Sequence, residues 1–178
     1  SPPSARDGFL ATNSLLAFAV LLVRAYNCAF PSHGGLPRDF GSLLVDSQAS
    51  RDYIEELRAR CDPLWKCETL VVLYGPSVAT AALDLESKFS EAALGNVQLA
   101  DFRNFAHGRH HWLAKRASKT GVLAICAKDE RDLSERTLRL IPSAVPVARV
   151  YPPNVGPTAS VAALVAVLHL VGAAGERH

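Results

Sequence analysis

The sequence predicts an α/β fold of doubly wound type: a mainly parallel sheet with helices on both faces, in three layers, preceded by a helical segment. Two observations carry this. From residue 67 onward, short apolar runs alternate strictly with helical stretches, four of each, and such alternation implies right-handed βαβ crossovers and a parallel sheet. The short runs are apolar without polar alternation, the mark of strands covered on both faces. Apolar residues make up 49% of the 178, enough for one sizeable core.

Residues 8–26 read as a helix, with Thr12, Asn13 and Ser14 offering cap oxygens. The run that follows is apolar all round, so burial on several sides is expected. AFPSHGGLPRDFGS, 29–42, is a Gly- and Pro-rich loop. Ser50–Arg60 is a charged amphipathic helix with Tyr53, Ile54 and Leu57 as its apolar stripe. CETLVVLYG, 67–75, is a buried strand ending in a turn, and PSVATAALDLESKFSEAAL, 76–94, a helix with Pro76 in its first turn. NVQLADF, 96–102, GVLAICA, 121–127, and PVARVYP, 146–152, supply three more strands. Helices follow them over 107–118, 129–142 and 157–175, the last opening with Pro and ending at Gly.

The net charge of +2 gives no electrostatic reason for a nucleic-acid partner. Cys28, Cys61, Cys67 and Cys126 form no C-x-x-C pair, so reduced thiols and a cytoplasmic location are expected. The longest apolar run, Leu15–Val23, has nine residues, well short of the roughly 20 that a spanning helix needs. No membrane partner is expected, and SPPSARDGF, without Met, reads as a cut point.

No dinucleotide fingerprint, Walker loop, zinc-protease or serine-hydrolase motif is present. Three places carry candidate chemistry. The turn Tyr74-Gly75-Pro76-Ser77 between strand and helix presents backbone N–H groups suited to an anion, although any strand-to-helix turn has this form. Lys88 and Glu91, three apart, share a helix face. Glu91 there suits proton transfer between carbons, or the two form a solvated ion pair. His107, followed by Gly108 at a strand-to-helix junction, suits acid–base work on a hydroxyl, or a surface hydrogen bond. His107 and His111 have chelating spacing, but no carboxylate or thiolate at a matching distance completes a ligand set, so neither metal nor cofactor is expected.

Lys88, then Glu91, then His107-Gly108 sixteen residues after the Glu, on a strand–helix–strand–helix frame, resembles the sugar isomerase (SIS) domain family. The match is to the second SIS lobe of the isomerising glutamine–fructose-6-phosphate transaminases. DGFLATNSLLAFAVLLVRAY, 7–26, looks like that family's inter-lobe segment, and PTASVAALVAVLHLVGAAG like its closing helix. The resemblance implies an SIS-like sandwich over 66–178, with 1–65 a helical linker to a first lobe. It implies a sugar-phosphate ligand, Glu91 as the base between C1 and C2, Lys88 as its support, and His107 as the ring-opening group serving a neighbouring subunit. Ser77, Gly75, Gly108 and Arg109 would then touch substrate, and a homodimer or partner SIS lobe would complete the site. Asn104, Ala106 and Arg109 depart from the family's acidic residue, basic residue and proline. The family's Ser/Thr phosphate loop is not found in this sequence. A phosphosugar isomerase or isomerising transaminase is expected, with a non-catalytic sensing module or a structural dimerising lobe as alternatives.

Overall fold

The computed structural model describes residues 12–31, 35–39, 41–45 and 50–177. Four strands form one sheet: β1 (Thr69–Tyr74), β2 (Asn96–Asp101), β3 (Thr120–Ile125) and β4 (Val147–Val150). Their order is β2-β1-β3-β4 and every pairing is parallel. The chain is therefore an α/β sandwich of the predicted kind.

The pleat divides the sheet between two cores. Leu70 and Val72 of β1, Leu123 and Ile125 of β3, and Ala148 and Val150 of β4 face the larger one. That face carries α4 (Ala79–Glu91) and α8 (Gly156–Gly175). Val71, Leu73, Ala100, Val122 and Ala124 face the smaller one, closed by Phe102, Phe105, Leu113, Leu138 and Val145. These side chains come from α5 (Phe102–Asn104), the turn 105–109, α6 (His111–Arg116), α7 (Arg131–Leu138) and the loop after it.

Helix α8 has mean hydropathy 1.9 and alone among the described residues is long and apolar enough to cross a membrane. It is a core helix instead: 67% of its apolar window is buried. It packs on α4 from one side. From the other it meets α1 (Asn13–Ala29), α2 (Gly41–Leu44) and α3 (Ser50–Cys61).

Two expectations change. Helix α1 is not buried on several sides. Val23 alone of its residues is fully buried, while Phe18, Leu21, Leu22 and Tyr26 are exposed, with Phe30 just beyond the helix end. The helix lies on the outside of α8, so only one stripe finds a neighbour. Thr12 stands at its N-cap but makes no side-chain capping bond. The expected helix at 107–118 starts later, because Gly108 with φ 151° breaks it. That backbone region favours glycine, and α6 proper begins at His111. The side chain of Ser50, expected as a cap, residues 8–11 of the first helix, and residues 32–34 and 40 of the loop 29–42 lie outside what the structure describes.

Candidate functional site

Helix α4 leaves the carboxyl end of β1 and runs back along the sheet to the start of β2. Its polar face carries Asp84, Lys88 and Glu91, spaced four and three apart, which stacks them on one side. Lys88 does not pair with Glu91. Its ammonium donates to Asp84 Oδ1 at 2.9 Å, with the two side chains 4% and 10% exposed. This is an interior ion pair, unlike the solvated surface pair that spacing alone allowed. Asp84 Oδ2 is buried with no hydrogen-bond partner. Burial pushes the Asp84 carboxyl above its ordinary value against the opposing pull of Lys88, and Glu91 adds a smaller upward push.

Glu91 closes α4. It is exposed and accepts a hydrogen bond from Ser87 Oγ at 2.8 Å. One turn of helix therefore runs from a water-facing carboxylate to a buried cation. A base on such a helix end can meet a ligand from outside, while the charge behind it is fixed.

His107 stands at the other end of the sheet. It follows the carboxyl end of the edge strand β2, within the turn 105–109, and is exposed. Between Glu91 and His107 lies the whole of β2, roughly 17–20 Å of extended chain. Within a single chain the two do not meet. Arg109, expected beside a ligand, folds back and donates from Nη1 to the Leu99 carbonyl at 2.7 Å, on the open edge of β2. Asp101 caps the start of this turn. It accepts from the Arg103 and Asn104 amides at 3.0 and 2.9 Å and from the Asn104 side chain. The Asn104 amide bond is the largest of the effects that hold its carboxyl below the ordinary range. His110 Nδ1 lies 3.3 Å from the Phe105 carbonyl, and the His110 and His111 rings are 4.4 Å apart. Among the described residues no three His, Cys, Asp or Glu side chains gather as a metal site requires.

The turn after β1 is occupied. The Ser77 amide, expected to face a ligand, donates to Glu130 Oε1 at 2.9 Å. Beyond β3 and β4 lies a second polar cluster. Ser134 Oγ and Tyr151 Oη are 2.6 Å apart, Tyr151 donates to Glu135 at 3.0 Å, and Arg149 Nε donates to Glu135 at 2.8 Å. Burial raises the Tyr151 hydroxyl and pushes the neighbouring Cys126 thiol up to about 12.

Two open clefts lie on the helical side. One, of about 370 Å³, is lined by Leu44, Arg51, Ile54, Arg58, Val165 and His169 among others. The other, of about 640 Å³, is lined by Trp65, Asp62, Glu176 and Arg177 among others. Neither contains Lys88, Glu91 or His107. In the first, partial desolvation and then the Arg58 guanidinium lower the His169 pKa.

Sequence reasoning missed Asp84, although its four-residue spacing to Lys88 signals it. It also missed Glu130, whose partner lies 53 residues away and leaves no local signal. No protein-family model and no curated protein matches the chain.

Proposed function

We propose that this chain is an SIS-type lobe that binds a sugar phosphate and serves as a phosphosugar isomerase or isomerising transaminase, with Glu91 as the proton-transfer base. The observation that supports this reading best is the interior Asp84–Lys88 pair one turn before Glu91. An isolated buried ion pair seldom repays its desolvation as stability. The pair anchors the end of α4 in the interior, and so holds in place the solvent-facing Glu91 carboxylate from which a base can meet a ligand.

In the reaction, His107 moves the proton that opens the sugar ring. Glu91 then takes a proton from one carbon of the open chain, giving an enediolate, and returns it to the adjacent carbon while the hydroxyl proton passes from one oxygen to the other. No redox partner is needed, since the two hydrogens only change places. Because Glu91 and His107 stand at opposite ends of the sheet, a working site draws them from two chains. The exposed row Phe18, Leu21, Leu22 and Tyr26 supports a homodimer or a partner SIS lobe, since contiguous apolar surface of this kind marks interfaces. All four cysteines are free thiols, Cys61 and Cys126 buried and Cys28 exposed, a state that suits a reducing compartment such as the cytoplasm.

A second reading, a module that senses a phosphosugar without turnover, draws support from Arg109. Its guanidinium is tied to Leu99 rather than facing His107's surroundings. Proton NMR in D₂O separates the two. The full-length protein is incubated with a panel of sugar phosphates, and deuterium entry at C1 or C2 is followed. The isomerase reading expects exchange that Glu91→Gln reduces by about 10²–10⁴-fold. Binding without exchange, seen as a raised melting temperature alone, would establish the sensor.

A further inference from the structure

The turns that leave β1 and β3 share one carboxylate. Glu130 Oε1 accepts the Ser77 amide at 2.9 Å and Glu130 Oε2 accepts the Ala127 amide at 2.9 Å. The two strands are neighbours, and the Gly75 amide donates to the Ile125 carbonyl at 3.0 Å, tying their ends. From here the chain departs to opposite faces, α4 to one and α7 to the other. This is the point where the strand order reverses, and in open parallel sheets it is where ligands bind.

Gly75 shows how closely the carboxylate fills that place. Its backbone is extended, with φ −86° and ψ 153°, which any residue adopts. Yet a Cβ at Gly75 would fall within the Glu130 carboxylate itself. Glycine is needed here for close approach, and what approaches is the chain's own anion. The space that a ligand phosphate or carboxylate would take, and the two N–H groups that would bind it, are both in use.

We propose that Glu130 is a resident anion that closes the switch-point crevice of this chain, so that the charged group of any ligand must be held elsewhere. The inference does not depend on the isomerase reading. If that reading also holds, the phosphate of the sugar is gripped by residues outside the Gly75–Ser77 turn.

Amide NMR and thermal unfolding of the full chain test this, with inorganic phosphate and acetate as probes and sodium chloride as the ionic-strength control. In the wild type, tens of millimolar phosphate should leave the Ser77 and Ala127 amide resonances in place. Glu130→Ala should lower the melting temperature by about 5–10 °C, and acetate or phosphate should restore part of that in a saturable way. Adding Gly75→Ala to Glu130→Ala should abolish the restoration, because the new methyl occupies the cradle. Glu130→Gln, which keeps an acceptor for one amide, should lose less and serves if the alanine variant does not fold. Saturable movement of the two wild-type amides with phosphate would show the crevice open and overturn the proposal. So would a Glu130→Ala protein indifferent to both anions, since the carboxylate would then be a spacer between turns.

Discussion

Replacing Lys88 by Met tests whether the interior ion pair is as desolvated as its geometry states. The Lys88 side chain is 4% exposed and Asp84 10%, and they meet at 2.9 Å. Asp84 Oδ2 has no other partner, so Lys88 supplies all of the compensation that the carboxylate receives. Methionine keeps much of the volume and removes the charge, leaving a buried carboxylate alone. Breaking such a pair costs about 3–5 kcal/mol, which in a domain of this size lowers the melting temperature by roughly 6–20 °C. The pH dependence has a definite sign. Burial already holds the folded Asp84 pKa above its unfolded value of 3.8, and losing Lys88 raises it further. An acid of this kind weakens the fold as pH climbs from the unfolded value through the folded one. The Lys88→Met penalty should therefore be largest at neutral pH and shrink as the solution is acidified toward pH 4. Asp84→Asn in the same chain should recover most of the loss. Urea unfolding monitored by tryptophan fluorescence at pH 7 and pH 5 reads all three effects. A cost below about 1 kcal/mol, a penalty equal at both pH values, or a double variant as weak as Lys88→Met would refute the reasoning.

Thiol reactivity should follow burial. Cys28 is exposed and should be alkylated rapidly, whereas Cys61 and Cys126, buried and both pushed up to about 12, should react only after unfolding, as mass spectrometry after a timed iodoacetamide pulse would show. Leu22→Asp places a charge in the middle of the exposed face of α1; it should leave the unfolding free energy within about 0.5 kcal/mol of wild type and lower the self-association measured by light scattering. The Glu135–Arg149 pair, with Tyr151 as a further donor, holds the Glu135 carboxyl below its ordinary value. Its stabilisation is present above the unfolded pKa and lost as pH falls through the folded one. Since both side chains are about two-fifths exposed, Glu135→Gln should cost about 1 kcal/mol or less at pH 7, read by the same urea titrations.

The sheet was legible because parallel strands covered on both faces must be apolar without interruption, and TLVVLY and TGVLAI carry that demand in six residues each. The order of strands follows from chirality and short connections rather than from any residue. The burial of α1 was not legible. Its sequence is apolar all round, but whether Phe18 or Leu22 is covered depends on what packs outside α8, and no local pattern reports that. The candidate site divides along the same line. Asp84 and Lys88 are neighbours on a helix and can be read from spacing. Glu130 reaches Ser77 across two strands, and Arg109 reaches Leu99 across an edge, through contacts that only the folded chain creates. The strand between Glu91 and His107 was readable in NVQLADF, but their spacing along the chain does not show that this strand sets them at opposite ends of the sheet.

Whether Glu91 and His107 act in one site contributed by two chains is the most direct question to put to the protein. Full-length Glu91→Gln and His107→Ala variants, carrying different affinity tags, are co-expressed, and the mixed dimers and each parent are assayed for deuterium entry into sugar phosphates. Each variant alone should be inactive. Each mixed dimer holds one site with both groups intact and one with neither, so isolated mixed dimers should show about half of the wild-type activity. Mixed dimers that form in full yet stay as inactive as their parents, or a His107→Ala protein as active as the wild type, would contradict the account.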